Sequence, residues 1–214
     1  MEENISFEKL KVSTQTIVVI LDVKNLNIEL ARKTVGMTKK IISKDKKNFN
    51  NAACFYTDIG EKNIYSQLFS TKVNFTGCKD VSMAIKATKI IISHLEKCRR
   101  RWFPDLYDGL INVIDIKESM TNLRSEIGEN LHLKRIYNHF KDYPVFYATY
   151  IPSQSSNLSL KYPILYYDGK KKDFTITITR KGKLVFCGRD YRGMRDIYNI
   201  FNSIFNEILP YAIS

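Results

Sequence analysis

Apolar residues recur along this chain with two periods, every second residue and every three to four residues, which predict strands and helices respectively. In the first half, the predicted strands are Thr16–Val23, Thr38–Ser43, Ala52–Thr57, Ile64–Phe69 and Lys72–Thr76, and the predicted helices are Ile28–Thr34 and Val81–Lys97. In the second half, the predicted strands are Leu110–Ile116, Val145–Ile151, Ile164–Tyr167, Phe174–Thr179 and Lys183–Cys187. A partly helical middle at 119–141 and a closing helix at Gly193–Leu209, which Pro210 ends, complete the second half.

Two octapeptides within this pattern are near-copies of each other. Lys72–Lys79 (KVNFTGCK) and Lys183–Asp190 (KLVFCGRD) share their lysine, phenylalanine and glycine positions. Apolar residues at helical spacing follow both copies, so each half is predicted to end in a short strand, a glycine turn and an amphipathic helix. The chain is therefore predicted to contain two copies of one unit, related by a pseudo-twofold axis.

The order of elements in each copy predicts an α+β fold, with a curved five-stranded antiparallel sheet backed by two helices. Consecutive strands with short links pair antiparallel. The helices can cover one face of such a sheet, and the sequence offers no further element to cover the other face. We expect a short tail at residues 1–11, one repeat at 12–101, a second repeat at 102–214, and an open, concave surface to which both repeats contribute.

The charge of the chain narrows the choice of partner. Thirty-four Lys and Arg residues against 22 Asp and Glu residues give a formal charge of +12. This excess favours a polyanion, either nucleic acid or an anionic membrane surface. Because no window approaches the ~18 apolar residues of a membrane span, and the N-terminus lacks an apolar signal core, we expect no membrane partner and an intracellular, reducing location.

The sequence contains no recognisable set of catalytic or metal-binding residues. The motifs GxSxG, HExxH and the phosphate-binding P-loop are missing, and the three histidines are scattered. The four cysteines show no CxxC spacing, which favours reduced structural thiols over a metal site. We therefore expect no enzyme activity, no cofactor and no bound metal.

Four segments, in order, resemble the TATA-box-binding protein (TBP) family over residues 12–212. Leu68–Gly77 and Thr179–Gly188 resemble the family pattern Phe-x-Ser-Gly-Lys, three apolar residues, Thr-Gly. Tyr162–Tyr167 (YPILYY) is similar to the family's Phe-Pro-Gly-Leu-Ile-Tyr. Leu110–Ile114 (LINVI) is similar to Ile-Gln-Asn-Ile-Val, and Gln15–Val18 fills that place in the first repeat.

The resemblance implies a saddle of two repeats whose concave underside grips the minor groove of DNA and bends it. TBP is the reference case for this mode of binding, in which apolar side chains from two stirrup loops wedge between base steps. The wedge positions correspond to Phe49, to Leu68 or, with a one-residue shift, Phe69, and to Tyr162. Phe49 and Tyr162 also fit as core residues. The remaining position falls at Thr179, so the resemblance implies a weaker or asymmetric bend.

The resemblance also implies a groove floor and a set of phosphate contacts. The floor residues are small, apolar or amide-bearing: Thr16, Val18, Asn74, Thr76, Asn112, Ile114, Val185 and Cys187. The phosphate contacts are basic and lie in or beside the stirrups: Lys46, Lys47, Lys72, Arg180, Lys181 and Lys183. Because threonine replaces the family's asparagine at position 16, a general A/T preference is expected rather than a strict TATA preference.

The implied function is that of a general transcription initiation factor for A/T-rich promoter DNA, with a TFIIB-like factor and RNA polymerase as protein partners. The expected location is the nucleus or, for a viral protein, a cytoplasmic viral factory or the virion. The sequence does not decide whether the free protein forms a homodimer. Two alternatives stand: a protein-interaction platform without DNA bending, favoured by Thr16, Asp168 and Thr179, and a single-stranded RNA binder using Tyr147, Tyr150, Tyr166 and Tyr167.

Overall fold

Ten strands and four α-helices form in the part of the chain that the computed structural model describes, residues 7–23, 26–34, 39–43, 51–98, 110–165, 171–189 and 191–213. The strands are β1 (Lys11–Leu21), β2 (Ile41–Ser43), β3 (Ala53–Asp58), β4 (Asn63–Leu68), β5 (Lys72–Cys78), β6 (Val113–Glu126), β7 (Tyr147–Thr149), β8 (Asn157–Leu165), β9 (Lys171–Thr179) and β10 (Lys183–Gly188). The helices are α1 (Ile28–Thr34), α2 (Val81–Lys97), α3 (Leu133–Phe140) and α4 (Tyr191–Ala212), preceded by a 3₁₀ turn at Phe7–Lys9.

The strand order is that of a duplicated unit. Hydrogen bonds connect the strands in the order β2-β3-β4-β5-β1-β6-β10-β9-β8-β7. The first five positions and the last five are the same topology reversed, since the hairpins β4–β5 and β9–β10 both lead to the first strand of their own repeat through antiparallel pairing. The predicted α+β fold of two antiparallel repeats is confirmed.

The chain forms two compact units. The first-repeat unit is Thr14–Ser119, and the second-repeat unit combines Met1–Ser13 with Met120–Ser214. Their boundaries lie within β1 and β6, whereas the sequence placed boundaries near residues 11 and 101. The first-repeat unit therefore contains most of β1 and the first half of β6, and the second-repeat unit contains the rest of both strands.

In the first-repeat unit, the alternation of the strands determines which side chains form the core. Ile17 and Val19 on β1 and Phe75 on β5 are fully buried. They pack with the apolar face of α2, which contributes Ala87 and Ile91. Asp80 begins this helix by accepting a hydrogen bond from the Met83 amide at 3.1 Å. Burying one such aliphatic or aromatic side chain stabilises the fold by roughly 1.5–3 kcal/mol.

The second-repeat unit has a more aromatic core. Phe201 on α4 stacks on Phe140 of α3, with ring centroids 5.6 Å apart, and meets Phe186 of β10 edge-on at 5.6 Å. The N-terminal segment also contributes, since Phe7 is 2% exposed and lies 5.5 Å from the ring of Tyr198. Phe7 and Leu10 thus pack in the core, whereas Glu8 and Lys9 between them are exposed.

Three predicted elements of the second repeat differ in the structure. β6 continues to Glu126 through a region predicted as partly helical, because Thr121 and Leu123 face the core at strand alternation. β8 begins at Asn157, seven residues before the predicted strand Ile164–Tyr167. α4 continues past Pro210 to Ala212, where the Ile213 amide still bonds the Leu209 carbonyl at 3.2 Å. Pro210 has no amide to donate, so the helix loses one backbone hydrogen bond there, and it ends two residues later at Ala212.

Neither repeated glycine forms the predicted turn, since Gly77 lies inside β5 and Gly188 is the last residue of β10. Gly77 has φ +94 and sits in β5 where the pairing shifts register, so it is the extra residue of a β-bulge. Gly188 ends β10 without positive φ. A Cβ there would approach Met194 Cγ at 2.6 Å and Phe174 Cδ2 at 2.8 Å. The first glycine is required for backbone conformation, and the second for close packing.

Candidate nucleic-acid interface

The first-repeat unit has a strand face opposite its helices. On β1 it carries Thr16, Val18 and Ile20, which alternate with the buried residues. Thr16 pairs with Thr76 of β5, and Val18 pairs with Asn74. These side chains are half-buried or exposed, which leaves a floor of small and amide-bearing groups. The predicted floor residues Thr16, Val18, Asn74 and Thr76 are therefore brought together.

Two tyrosines extend this face beyond the floor. Tyr56 on β3 pairs with Tyr65 on β4, and their ring centroids lie 5.6 Å apart. Burial, followed by a side-chain hydrogen bond with Cys54, raises the pKa of Tyr65 above its usual value. Its hydroxyl therefore stays protonated at neutral pH and can donate a hydrogen bond. The sequence analysis did not assign these two aromatics to the site.

The corresponding face of the second-repeat unit is more polar. β10 contributes Val185 and Cys187, as predicted, and these pair with Arg124 and Asn122 of β6. The outer strands add a field of hydroxyl, amide and ammonium groups from Thr175, Thr177, Thr179, Asn157, Ser159 and Lys161. Hydrogen-bonding groups thus dominate this half, whereas aromatic and aliphatic groups are prominent in the other.

The register of β4 decides between the two candidate wedges at its end. Leu68 is 0% exposed and packs in the core, so its assignment as a wedge was wrong. Phe69, the next residue, lies on the opposite side and is half-buried. Lys72 Nζ sits 5.2 Å from the centroid of its ring, a cation–π contact. The one-residue shift therefore puts Phe69 on the open face.

The register of β8 moves the third candidate wedge into the core. Tyr162 pairs with Phe174, which is fully buried, so both lie on the core side. The ring of Tyr162 meets that of Phe146 edge-on at 5.6 Å. A wedge must be free to enter DNA, and therefore the assignment of Tyr162 was wrong. Phe49, the remaining candidate, lies outside the described residues.

The asparagine of the second repeat is at a different place from the one predicted. Asn112 precedes β6, and its Nδ2 donates to the Leu110 carbonyl at 3.1 Å. Asn122 pairs with Cys187, as Thr16 pairs with Thr76, so Asn122 is the equivalent of Thr16. Ile114, also predicted as floor, is 64% exposed near the start of β6. The prediction that aligned Leu110–Ile116 with the first strand of repeat one was wrong.

A signal for Asn122 was present in the sequence. Thr121-Asn122-Leu123 has the same order of two polar residues and one apolar residue as Gln15-Thr16-Ile17. Thr16 lies about as far before Thr76 as Asn122 lies before Cys187, whereas Asn112 is farther away. Comparing the spacing to the duplicated octapeptides would have identified the strand.

The described basic residues assigned to phosphate contact are exposed. Lys72 begins β5, Lys183 begins β10, and Arg180 and Lys181 form the turn before it. The Lys183 amide donates a hydrogen bond to Thr179 Oγ1 at 3.0 Å. Thr179, at the fourth wedge position, is therefore bonded across its own hairpin. Lys46 and Lys47 lie outside the described residues.

The helix side carries a second basic region, around α2. A cavity of about 400 Å³ is lined by Lys39, Lys40, Lys89 and Lys97, beside His94. Burial, and then the charge of Lys97, lowers the pKa of His94 below its ordinary value. Lys86 is bonded to Glu61 at 2.8 Å. In the described ranges, no three His, Cys, Asp or Glu side chains are grouped to hold a metal ion.

No helix in the described part of the chain has the length and apolarity needed to span a membrane.

All four cysteines are free, and burial raises the pKa of Cys78 to about 11. This thiol is therefore protonated and unreactive at neutral pH.

Comparison with known proteins identifies the fold. No family model and no curated protein sequence matches the chain. Among solved structures, the chain is similar to TBP of Methanococcus jannaschii, with a TM-score of 0.58 and 19% sequence identity. The match covers 92% of this chain and 98% of that one. The chain therefore has the fold of the TATA-box-binding proteins.

Proposed function

We propose that this protein is a TBP-like general transcription initiation factor, which binds A/T-rich promoter DNA through the minor groove and bends it. The observation that supports this most is the pair of strand faces opposite the helices, each with small or amide-bearing floor residues beside exposed lysines. The likeness of the fold to an archaeal TBP over nearly the whole chain adds to it.

The floor residues suit the chemistry of an A/T-rich minor groove. Such a groove presents only acceptors, adenine N3 and thymine O2, whereas a G·C pair adds the guanine amino group. Thr16, Thr76 and Asn122 can donate hydrogen bonds to these acceptors. Val18 and Val185 contribute apolar surface that would leave a guanine amino group unpaired. The floor therefore favours A·T pairs without selecting one base sequence.

The wedges are proposed to lie in the first repeat. Phe69 is apolar, large and on the open face beside the exposed Lys72, and Phe49 occupies the other wedge position of the family pattern. The second repeat offers only Thr179 and a half-buried Tyr162 that packs against the core. Unstacking costs a few kcal/mol per base step, which an inserted aromatic ring offsets and a threonine does not. DNA is therefore bent mainly at the end that the first repeat occupies.

Protein partners follow from the same role. A DNA-bound TBP-like factor presents its helix side to a TFIIB-like factor and RNA polymerase, and the basic cavity beside α2 lies on that side. Promoter binding of this kind takes place in the nucleus or, for a viral protein, in a viral factory. The free protein can also cover its open face by forming a homodimer.

A second candidate function is a protein-interaction platform that does not bend DNA. It is favoured by the second repeat, where Tyr162 packs against the core and Thr179 is bonded within its hairpin, so neither wedge position of that repeat has a free aromatic ring. An RNA-binding role is less well supported, because Tyr150 packs against the core and Tyr166 and Tyr167 lie outside the described residues.

Fluorescence transfer across an end-labelled A/T-rich duplex separates these functions. Bending by the factor shortens the end-to-end distance as protein is added, and unlabelled A/T-rich duplex competes better than G/C-rich duplex or single-stranded RNA. Binding without a distance change supports the platform, and stronger competition by RNA supports the RNA binder. Either result would overturn the proposed function.

A further inference from the structure

The cavity beside α2 carries positive charge that its own lining does not neutralise. Its volume is about 400 Å³, and its described lining contains no carboxylate but four lysines: Lys39, Lys40, Lys89 and Lys97. All four are exposed. Within the described ranges, none of them is paired with an acidic side chain. Because like charges repel one another, this arrangement attracts an anion that fits between them.

The lysines come from two parts of the first-repeat unit. Lys89 and Lys97 lie about two turns apart on the exposed side of α2. The other two form the turn before β2. That turn is held in place because the Lys40 carbonyl accepts a hydrogen bond from the Asp58 amide at 2.8 Å. The positive charges are therefore brought together by tertiary structure and are not a run along one helix.

The duplicated helix shows that the fold does not require lysine at these places. When the two octapeptides are aligned, Lys89 of α2 corresponds to Ile200 of α4, and Lys97 corresponds to Ile208. The same helix of the second repeat therefore forms with isoleucine at both positions. A helix dipole favours a cation in the last turn, which accounts for Lys97 but not for Lys89. The lysines of the cavity are particular to the first repeat.

The second repeat fills the place that is a cavity in the first repeat. Ile90 lines the cavity, and it corresponds to Phe201 in the aligned helices. Phe201 stacks on Phe140 of α3, with ring centroids 5.6 Å apart. A helix thus covers this surface of α4, whereas in the described part of the first repeat the same surface of α2 is concave. The first repeat therefore has space for a ligand where the second repeat has none.

The spacing of the lysines indicates the size of the anion. Lys89 and Lys97 are separated by about 12 Å along the helix axis. A single phosphate contacts one end of that span, whereas an anion with several phosphate groups contacts both. The Ser93 hydroxyl lies between the two lysines on the lining and can donate a further hydrogen bond. A cavity of about 400 Å³ is within the usual range for small-molecule sites.

We infer that this cavity binds a compact polyphosphate, namely the triphosphate group of a nucleotide or an inositol polyphosphate. Lysine ammonium groups hold phosphate oxygens by charge-assisted hydrogen bonds, which are stronger than those between neutral groups. α2 packs on the core side of the sheet, so the cavity lies on the helix side, opposite the open strand face. The site is therefore separate from the proposed DNA interface and does not depend on DNA binding.

Isothermal titration calorimetry at constant ionic strength tests this site with defined anions. Tripolyphosphate is the probe, orthophosphate is its single-phosphate control, and poly-glutamate is the acidic-peptide control. We expect tripolyphosphate to bind at least about tenfold more tightly than either control. ATP and inositol hexakisphosphate then distinguish the two sources, since the one that binds more tightly has the better matching phosphate arrangement. Equal affinity for tripolyphosphate and orthophosphate, or tighter binding of poly-glutamate, overturns the inference.

Single-lysine variants test where the probe binds. Lys89→Ala and Lys40→Ala should each weaken tripolyphosphate binding by on the order of tenfold, because each removes one charged hydrogen bond. Lys134→Ala removes a lysine from the exposed surface of α3 and should leave the affinity within about twofold, since salt screens a distant charge. Circular dichroism checks that each variant is folded. Equal losses in all three variants indicate a general attraction to the basic protein and overturn the inference.

Histidine resonances locate the bound anion in the wild-type protein without any substitution. His94 lies beside the cavity lysines, whereas His132 and His139 belong to the second-repeat unit. In nuclear magnetic resonance spectra, tripolyphosphate should shift the ring resonances of His94 and leave those of the other two unchanged. Unchanged His94 resonances, or larger shifts at His132 or His139, overturn the inference even if an alanine variant fails to fold. A protein that passes these tests but does not bend DNA keeps this site and loses the proposed function.

Discussion

Leu68 and Phe69 are adjacent in the chain and lie on opposite faces of the sheet. Leu68 is fully buried, whereas Phe69 contacts Lys72 on the open side. A shift of one residue along a strand reverses which side chains face the core. The assignment of wedge and core residues at this hairpin therefore depends on a single register.

Truncation of each residue to alanine tests that register. Leu68→Ala should destabilise the protein by about 3 kcal/mol, because it leaves a cavity in the core. Phe69→Ala should change the free energy of unfolding by less than about 1 kcal/mol, the size of an exposed cation–π contact, and should reduce DNA bending. Urea unfolding and fluorescence transfer measure the two effects.

The opposite pattern would contradict the register. A large loss of stability in Phe69→Ala, with bending intact, would place Phe69 in the core. Phe49→Ala serves as a companion variant for bending, since it tests the other wedge of the first repeat.

The equivalence of Asn122 and Thr16 leads to a second prediction for single residues. Asn122→Ala should weaken binding to A/T-rich duplex by about 1–3 kcal/mol, the range for losing contacts to one base pair. Asn112→Ala should change it by less than about 0.5 kcal/mol, because the Asn112 amide already bonds the Leu110 carbonyl. Anisotropy titrations at constant salt compare the two, and equal losses would show that the equivalence is incorrect.

Sequence reasoning placed most of the proposed floor residues on the open strand face, but two of its four proposed wedges, Leu68 and Tyr162, lie on the core side. Thr16, Val18, Asn74 and Thr76 lie on strands whose alternation is regular, so their faces follow from any buried neighbour. Leu68 and Tyr162 lie near strand ends, where an apolar residue fits either face. Only the pairing partner decides there, and pairing is set by tertiary contacts that a single sequence does not reveal.

At the scale of elements, the hairpin between β9 and β10 is attached to the loop that follows β6. The Gly182 amide donates to the Thr179 carbonyl at 3.1 Å, and the Gly182 carbonyl accepts from the Ile127 amide at 3.0 Å. Leu131 donates to the Arg180 carbonyl at 2.7 Å. These bonds fix the backbone that presents the basic side chains of Arg180 and Lys181.

Gly182 is the residue on which this attachment depends. Its φ is +74, and a Cβ there would collide with the carbonyl oxygen of Glu129. Gly182→Ala should therefore destabilise the protein by roughly 3 kcal/mol, from backbone strain plus displacement of that loop. Thermal unfolding followed by circular dichroism measures the loss.

Gly60→Ala is the matched control for this variant. Gly60 also has positive φ, +92, but no atom lies within 4 Å of its hypothetical Cβ. Gly60→Ala should lower the free energy of unfolding by about 1–2 kcal/mol, from the left-handed backbone conformation alone. If both variants lose the same stability, the close approach of a Cβ at position 182 to the Glu129 carbonyl adds nothing to the destabilisation.

The elements themselves were predictable where local signals agree. α2 was placed correctly because Asp80 provides a cap, and the apolar spacing continues to Leu95. Only the start of β6 was predicted, because beyond Ile116 its core face alternates Thr121 with Leu123 and most other residues are polar, a pattern that a strand shares with an exposed helix. The duplicated hairpins located both repeats, since each contributes the same strand pairing.

At the scale of the whole molecule, net charge predicts a strong dependence of DNA affinity on salt. Lys72, Arg180, Lys181 and Lys183 are exposed and assigned to phosphates. About four phosphate contacts correspond to a loss of affinity on the order of a hundredfold between about 50 and 200 mM salt. Anisotropy titrations over this range give the slope of log K against log salt.

Removing single positive charges distinguishes a lysine that contacts a phosphate from one that only adds to the overall attraction for DNA. Lys181→Ala should reduce the magnitude of the slope by about one. Lys134→Ala, on the helix side, should leave the slope unchanged. An affinity that does not vary with salt would be incompatible with phosphate contacts.

The division of β1 between the two units has a consequence for how the protein is made. Ribosomes synthesise Met1–Ser13 first and its partners in Met120–Ser214 last, whereas Thr14–Ser119 is continuous. The continuous unit can fold during translation, but Phe7 and Leu10 must wait for the far end of the chain. During that interval they are exposed apolar side chains, and nascent chains in this state depend most on chaperones.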